Sequence, residues 1–300
     1  MSEAVYRRLT EQLIEQMKNG VAPWQKPWTM TGANSPKNFI TKKAYRGFNL
    51  IATASRGYEC PYWLTFKQIM AMNGKIKPNS HGTPIVYWLK SNYTKEVEGS
   101  DETELKTFMS PRYYVVFNLE QVEGIDWEWP EESSMPEPTL MDDLIDIYCE
   151  EENIDLRMSD IDDSAYFAPM LDRIHVPLKT NFPNLNAYYA TLFHEAVHST
   201  GVSTRLNRGL DTQTSHFGSE RYSKEELVAE FGSCFLLGIF GIDDPTIFDN
   251  SASYLSGWVK KLQDQPAMLV SAANQAQKAV DFITKINQEN FDNSQLDGEE

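Results

Sequence analysis

Cysteine is scarce in this 300-residue sequence, and the three that are present, Cys60, Cys149 and Cys234, lie far apart. Their odd number and wide spacing fit neither a Cys-x-x-Cys metal pattern nor a disulfide framework, so a cytoplasmic location is expected. Runs of eighteen apolar residues are absent, and the amphipathic first twenty residues lack the apolar core of a signal peptide. We therefore expect neither a membrane span nor secretion.

Acidic side chains are rare in the first third of the chain. Residues 1–95 contain 14 Lys and Arg against 4 Asp and Glu, whereas residues 96–300 contain 13 against 39. The overall net charge of −16 hides this change of sign. An asymmetry of this size predicts two modules with different partners.

The clearest boundary is residues 126–139, which contain three prolines and five acidic residues. Such a composition is typical of a linker. We therefore predict a basic domain at residues 1–125, an acidic linker at 126–139, a second domain at 140–287 and a disordered acidic tail at 288–300.

The apolar periodicity and the turn residues predict an α+β fold. The first domain is expected to be a small α+β unit, and the second to be mainly helical with a small sheet. Helices are predicted at 3–19, 65–72, 140–153, from Asn184 or Asn186 to about Thr200, at 225–238 and at 254–286. Strands are predicted at 84–89, 112–118 and 172–178, with a polar connection at 94–108. Pro177 indicates that the strand at 172–178 lies near a sheet edge.

The motif His194-Glu195-Ala196-Val197-His198 has the HExxH pattern of zincin metal sites. Residues four apart share one helix face, so His194 and His198 can bind one tetrahedral ion. Glu195 projects beside that ion, where it can take a proton from a bound water molecule. The expected cofactor is Zn²⁺ or another divalent metal such as Mn²⁺.

A third metal ligand is needed, and a histidine-extended motif would require His where the chain has Thr204. A glutamate from a later helix is the alternative. Glu226 and Glu230 share one helix face, whereas Glu225 is expected to point elsewhere. We assign Glu226 as the ligand and Glu230 as the residue that supports a ligand histidine, and the reverse assignment stays open.

Two residues near the motif need separate interpretation. Tyr222 is a candidate donor to the oxyanion that forms when a peptide is hydrolysed, and the alternative is a packing role. His175 lies on the strand predicted at 172–178 and is interpreted as structural. In zincins an edge strand beside the cleft holds extended substrate.

Basic and aromatic residues alternate in the first third of the chain. Basic residues follow a phosphate backbone, and aromatic rings stack on unpaired bases, so this pattern favours single-stranded nucleic acid. The candidate contacts are Trp24, Lys26, Trp28, Lys42, Lys43, Tyr45, Arg46, Lys75 and Lys77. The alternative is that many of these rings belong to the core.

Several segments resemble a known family in order and length. GVAPWQKPW, SPKNFITKKAYRGFNL and YYVVFNLEQVEGI resemble the N-terminal domain of ArdC-type antirestriction proteins, which TraC-type primases share. YYATLFHEAVHSTG, RLNR and FGSERYSKEELVAEFGSCFL resemble the metallopeptidase-like domain of that family.

The resemblance implies a single-stranded DNA-binding domain followed by a zincin-like domain. It also implies that the protein shields incoming plasmid or other mobile DNA from restriction during conjugation. Expected partners are single-stranded DNA, with double-stranded DNA as an alternative, and an unidentified protein substrate such as the host restriction machinery. Two functions stay open: a DNA-associated metallopeptidase, and a non-catalytic DNA-coating protein whose metal is structural.

Overall fold

A computed structural model describes residues 3–23, 35–96, 103–130, 139–212, 220–242, 244 and 252–285. The helices are α1 (Glu3–Lys18), α2 (Phe48–Ala54), α3 (Phe66–Ala71), α4 (Thr139–Glu152), α5 (Leu185–Ser199), α6 (Glu220–Ile239), α7 (Ala252–Asp264) and α8 (Pro266–Thr284). The strands are β1 (Lys37–Asn38), β2 (Tyr62–Thr65), β3 (Lys75–Ile76), β4 (Thr83–Glu96), β5 (Thr103–Asn118), β6 (Val122–Glu123), β7 (Asp155–Ser159), β8 (Tyr166–Ala168) and β9 (Arg173–Pro177). The predicted α+β class is confirmed.

The N-terminal half is organised around a sheet with the strand order β1-β2-β5-β4. β4 and β5 form an antiparallel hairpin that pairs from Thr83 with Val116 to Glu96 with Thr103. The polar connection predicted at 94–108 is therefore wrong over most of its length, because both strands continue into it. Polar residues can extend a hairpin, since alternate residue pairs still exchange backbone hydrogen bonds across the ladder whatever their side chains are.

The C-terminal half is mainly helical and carries a three-stranded sheet with the order β7-β9-β8. β9 pairs with β7 in parallel and with β8 in antiparallel orientation, so β9 is the central strand. The predicted edge position of residues 172–178 is wrong. Pro177 is the last residue of β9, where the missing N–H does little harm to the ladder.

One helix was predicted at 254–286, but the chain forms α7 and α8 instead. Pro266 is the first residue of α8. The fixed φ of proline suits the first turn of a helix, while proline inside a helix would remove a hydrogen bond. The remaining helices begin and end within a few residues of their predicted positions, although α6 begins at Glu220, five residues early.

The two halves share their largest hydrophobic core. Leu9, Leu13 and Met17 recur at helical spacing on α1 and are buried in the same cluster as the apolar faces of α5, α6 and α8. The α2 helix joins this cluster through Phe48 and Ile51. The boundaries of the two domains stay a prediction, and the core continues across them.

The α8 helix holds the start of α2 through polar contacts. Asp281 forms an ion pair with Arg46, and the backbone N–H of Gly47 donates to Gln277 Oε1 at 3.0 Å. Gly47 has φ of 52°, and a Cβ atom there would lie 2.5 Å from Asn274 Oδ1. Glycine is therefore required for this close approach.

Candidate metal centre

The α5 helix presents the HExxH motif. Asn184 caps the helix by accepting a hydrogen bond from the N–H of Ala187 at 2.8 Å, as its residue type predicts. One face of the helix is buried in the core through Tyr188, Leu192 and Phe193. The other carries His194 and His198, whose ring centroids lie 4.7 Å apart. The buried face thus fixes the direction in which both imidazoles point.

The α6 helix crosses α5 at very short range. A Cβ atom on Gly232 would lie 2.5 Å from Val197 Cγ2, which is closer than real side-chain contacts allow. The glycine therefore permits an approach that no larger residue would. This approach brings Glu226 of α6 to the two histidines of α5.

Three side chains converge on one point. The Nε2 atoms of His194 and His198 lie 3.1 Å apart, and each lies 3.7 Å from a carboxylate oxygen of Glu226. A tetrahedral ion with metal–nitrogen bonds of about 2.0–2.1 Å sets its ligand atoms roughly 3.3 Å apart. The spacing fits a tetrahedral ion such as Zn²⁺, the donor set also suits Mn²⁺, and Glu226 is the carboxylate placed to be a third ligand.

Glu225 supports His198, which corrects the expectation that Glu225 points elsewhere. Its Oε1 atom lies 3.2 Å from His198 Nδ1. Arg208 donates to both Glu225 oxygens, at 2.9 Å from Nε and 2.8 Å from Nη2. Burial alone would raise the pKa of Glu225, but the hydrogen bonds from Arg208 and His198 lower it to about 2.

The ionised Glu225 has a direct consequence for the metal site. A carboxylate at Nδ1 holds the proton on that nitrogen, so the lone pair of His198 Nε2 faces the site. Arg208 is itself fixed, since it also donates to the Thr200 hydroxyl and to the Val197 carbonyl, both at 2.8 Å. These two acceptors lie at the end of α5, so one arginine joins the helix end to the ligand support.

Glu230 was predicted to support a ligand histidine. Its negative charge acts on His194 and also on Tyr254. Burial lowers the pKa of His194, but the contact with Glu226 and the charges of Glu195 and Glu230 outweigh it and raise that pKa. A concentration of negative charge at two imidazoles is the environment that a divalent cation needs. The supporting role of Glu230 itself stays a prediction.

The predicted catalytic residues lie in the same cleft. Glu195 is buried, with 8% of its surface exposed, and lines the cleft beside both histidines. Tyr222 lies one turn before Glu226 and forms a hydrogen bond with its carboxylate. Burial and the charge of Glu226 raise the pKa of Tyr222, so its hydroxyl remains a proton donor.

The cleft has a volume of about 980 Å³, at the upper end of the range of small-molecule sites. The edge strand β8 forms part of its wall through Tyr166 and Phe167. His175 lies on β9 behind that wall and stacks on Tyr166, with ring centroids 5.0 Å apart. This packing agrees with the structural interpretation of His175.

The predicted nucleic-acid contacts divide into several groups. Lys42, Lys75 and Lys77 are exposed, and Lys43 is half-buried. Trp24, Lys26 and Trp28 lie outside the described residues. Lys77 Nζ donates to the Glu120 carbonyl at 2.8 Å, which leaves the ammonium group at the surface.

Tyr45 and Arg46 are corrected by the structure. Tyr45 is 8% exposed and packs against Trp63 and Val116, and burial raises the pKa of its hydroxyl. Arg46 forms an ion pair with Asp281, and only 13% of its side chain is exposed. Both residues are therefore part of the packing between the sheet, α2 and α8, and neither presents a free ring or charge to a nucleic acid.

In the N-terminal half, one lysine packs against two aromatic rings, and the sequence pattern did not predict this contact. Lys42 Nζ lies 3.9 Å from the ring centroid of Phe39 and 4.4 Å from that of Tyr62. Burial, and then the positive charge of Lys42, lower the pKa of Lys37. We call Lys37, Phe39, Lys42 and Tyr62 the basic aromatic cluster. Lys37 and Tyr62 are buried, so the exposed Lys42 is the positive charge of this cluster that can face an anionic ligand.

Sequence reasoning also missed the roles of Arg205 and Arg208. Arg205 is buried and binds Asp172 at 2.6 Å and the Ser199 carbonyl at 2.7 Å. The segment RLNR thus places one arginine under the end of α5 and the other on Glu225. The two arginines of RLNR could have indicated a structural role for this segment. Most of their carboxylate acceptors are distant in sequence, so the partners could not be predicted.

Comparison with known proteins agrees with this architecture. Residues 144–275 match the MPTase-PolyVal family, described as zincin-like metallopeptidase. Residues 3–117 match the N-terminal domain of anti-restriction factor ArdC. The chain therefore contains an ArdC-type N-terminal domain, followed in sequence by a zincin-like metallopeptidase domain.

Two crystal structures of the antirestriction protein ArdC from plasmid R388 are similar over almost their entire length. The metal-free structure has a TM-score of 0.68 with 31% identity, covering 95% of this chain and 97% of that one. The Mn(II)-bound structure has a TM-score of 0.66 with 31% identity. The chain belongs to the ArdC antirestriction family.

Longer relatives carry the same two modules. DNA primase TraC from Escherichia coli is 35% identical over 94% of this chain, and this chain spans about a quarter of the length of TraC, 27%. The protein y4eC of Sinorhizobium fredii is 29% identical and is covered over 91% of its length. None of the helices in the described ranges is long and apolar enough to cross a membrane.

Proposed function

We propose that this protein binds single-stranded DNA of an incoming mobile element, protects it from restriction, and hydrolyses a protein partner at its metal cleft. The observation that carries the proposal is the convergence of His194, His198 and Glu226 beside Glu195 in an open cleft. A purely structural metal site is closed by four protein ligands and needs no general base. Among the described residues three side chains converge here, which leaves room for a substrate.

His194, His198 and Glu226 would hold the ion. When bound, a divalent ion of this kind polarises a substrate carbonyl and makes a bound water molecule more acidic. Glu225 and Arg208 keep His198 in the tautomer that binds metal through Nε2.

Glu195 is the general base of the proposed reaction. Its carboxylate takes a proton from the attacking water and passes it to the leaving amine nitrogen. Burial of Glu195 in the cleft wall restricts the directions that its carboxylate can take. The Tyr222 hydroxyl, protonated at neutral pH, donates a hydrogen bond to the developing oxyanion.

The edge of β8 offers a docking site for the substrate backbone. Only one side of this strand pairs with β9, and Tyr166 and Phe167 line the cleft. An extended peptide that adds to the other side would lie along the cleft beside Glu195.

DNA binding is assigned to the N-terminal half. In the basic aromatic cluster the exposed Lys42 lies over the rings of Phe39 and Tyr62, and its ammonium group is placed to bind a phosphate, whereas Lys37 and Tyr62 are buried. Lys75 and Lys77 add exposed positive charge in the same half. The relatives from plasmid R388 and the TraC primases are consistent with a role on mobile DNA.

A non-catalytic function is the second candidate. The basic aromatic cluster lies on β1, on the turn that follows it and at the start of β2, outside the residues that line the metal cleft. Protection by coating DNA would therefore need no chemistry at Glu195.

Replacement of Glu195 by Gln separates the two candidates. We expect the variant to retain its metal content, measured by elemental analysis, and to lose protection of transferred DNA against a restriction endonuclease in a mating assay. Full protection by a variant with unchanged metal content would remove hydrolysis from the function. Lys260→Glu on α7 serves as an expression-matched control, because Lys260 is exposed and outside the cleft.

A further inference from the structure

The metal cleft has two chemically different walls. One wall is apolar and comes from β8 and the turn after it, where Met170 is 82% exposed. The other wall comes from α6 and α8 and carries Lys224 and Lys278. A substrate that fits this cleft must therefore satisfy both an apolar surface and a cationic one.

Three of the acidic residues that line the cleft, Asp211, Glu225 and Glu226, have other partners. Glu225 is neutralised by Arg208, and Asp211 accepts hydrogen bonds from the backbone and hydroxyl of Ser203, the latter at 2.5 Å. Glu226 faces the two histidines as a metal ligand. None of these carboxylates forms an ion pair with Lys224 or Lys278 among the described residues.

The other cleft cations differ from these two lysines. Arg208 is 7% exposed and paired with Glu225, and Arg221 donates to the carbonyls of Arg208 and Gly209. Lys278 is exposed and Lys224 is half-buried. Among the described residues of the cleft, Lys224 and Lys278 therefore offer two ammonium groups to a ligand, whereas the guanidinium of Arg221 is held by carbonyls.

We propose that Lys224 and Lys278 form a specificity subsite that recognises an acidic side chain of the protein substrate, close to the bond that is cleaved. This inference rests on the proposed peptidase function and adds the class of substrate to it. Lys224 precedes Glu225 and Glu226 on α6, so an acidic group bound there lies near the metal ligands.

The strand geometry of the substrate extends the proposal. Side chains of an extended peptide alternate between two faces with a period of two. A peptide paired with β8 would therefore present alternate residues to the apolar wall and to the lysines. The expected substrate segment alternates apolar residues with Asp or Glu.

The test measures peptide binding separately from cleavage. Fluorescent peptides that alternate Leu with Glu, and matched peptides with Gln in place of Glu, are titrated into metal-loaded Glu195→Gln protein by fluorescence anisotropy. We expect the Glu peptides to bind at least about tenfold more tightly at low salt, and the difference to shrink as salt rises.

Variants of the lysines locate the effect. Lys224→Glu and Lys278→Glu, each in the Glu195→Gln background, should each weaken Glu-peptide binding by about two- to fivefold and leave Gln-peptide binding unchanged. Lys260→Glu is the matched control and should change neither. Metal content and circular dichroism establish that each variant is folded. If Lys224→Glu fails to fold, Lys224→Met and Lys278→Glu are compared instead.

The outcomes separate the subsite from the peptidase function. Equal binding of Glu and Gln peptides, or a preference that survives both lysine variants, would overturn the subsite. Displacement of the Glu peptide from the cleft by a single-stranded oligonucleotide, with the same lysine dependence, would also overturn it in favour of a nucleic-acid ligand. Selective binding without cleavage by wild-type protein supports the subsite but contradicts the peptidase proposal.

Discussion

The metal cleft and the basic aromatic cluster are built in opposite ways. In the cleft, functional side chains are fixed by other groups: Glu225, which is buried, holds His198, and Arg208 holds Glu225. In the basic aromatic cluster, Lys42 is exposed and is held by two ring faces. A polar group that loses its partner inside the protein costs more free energy than it would in water, because water cannot replace the lost hydrogen bond. Single replacements should therefore have large effects in the cleft and graded effects in the cluster.

The largest effect is expected from the third ligand. Glu226→Gln should lower metal affinity by more than the roughly 10–100-fold that loss of a supporting residue causes, because one of three protein ligands is lost. Glu225→Gln should fall within that range. Titration calorimetry with Zn²⁺ and Mn²⁺ measures both. Glu230→Gln tests the reverse assignment: a loss of metal in that variant, with binding retained in Glu226→Gln, would make Glu230 the ligand.

Loss of Arg208 tests whether the cleft depends on its buried charges. Arg208→Met leaves Glu225 ionised and buried without its main partner, which should cost about 3–5 kcal/mol of unfolding free energy. Chemical denaturation of the metal-free protein measures this cost. The double variant Arg208→Met with Glu225→Gln should recover much of it, because the isolated charge is gone. A cost below about 1 kcal/mol in the single variant would mean that the pair contributes little.

A smaller effect is expected at the crossing of α5 and α6. Gly232→Ala forces a methyl group against Val197 and should destabilise the protein by about 1–3 kcal/mol, with weaker metal binding as Glu226 moves away. Gly257→Ala is the matched helical control, since nothing lies within 4 Å of an added Cβ atom there. The control should stabilise the protein by up to about 1 kcal/mol. Equal behaviour of both variants in thermal unfolding would contradict close packing at Gly232.

The smallest effect is expected in the basic aromatic cluster. Lys42→Glu in the full chain should weaken single-stranded DNA binding by about fivefold at low salt and reduce the salt dependence, because one phosphate contact is lost. Filter binding over a range of salt concentrations measures both quantities. Lys260→Glu is again the control. Unchanged affinity in Lys42→Glu would remove this cluster from the DNA site.

Much of the cleft could be predicted from spacing alone. The HExxH motif predicted two histidines on one face of α5, the Asn184 cap fixed where that helix begins, and Thr204 excluded the histidine-extended motif. All of these depend on contacts within a few residues. Glu226 could be chosen over Glu225 as the ligand on the same basis, since helical periodicity separates neighbouring residues by about 100°.

The errors arose where distant segments meet. Glu225 supports His198 because the loop after α5 returns Arg208 to it, and helical periodicity contains no information about that loop. Tyr45 and Arg46 looked available to DNA, but Tyr45 is buried against Trp63 and Val116 of the sheet, and Arg46 is paired with Asp281 of α8, 235 residues away. The break between α7 and α8 was readable from Pro266, whereas the length of the β4–β5 hairpin was obscured by its polar residues.

The α8 helix has a consequence for how this family exchanges its parts. One side of it holds Arg46 and Gly47 through Asp281 and Gln277, and Lys278 on another side lines the metal cleft. A recombination event that replaced the N-terminal module would leave these polar groups without partners. The two modules should therefore be inherited as one unit, in agreement with a single match to TraC that spans 94% of this chain. Exchange inside this unit is constrained both by the polar contacts of α8 and by the core that the two halves share.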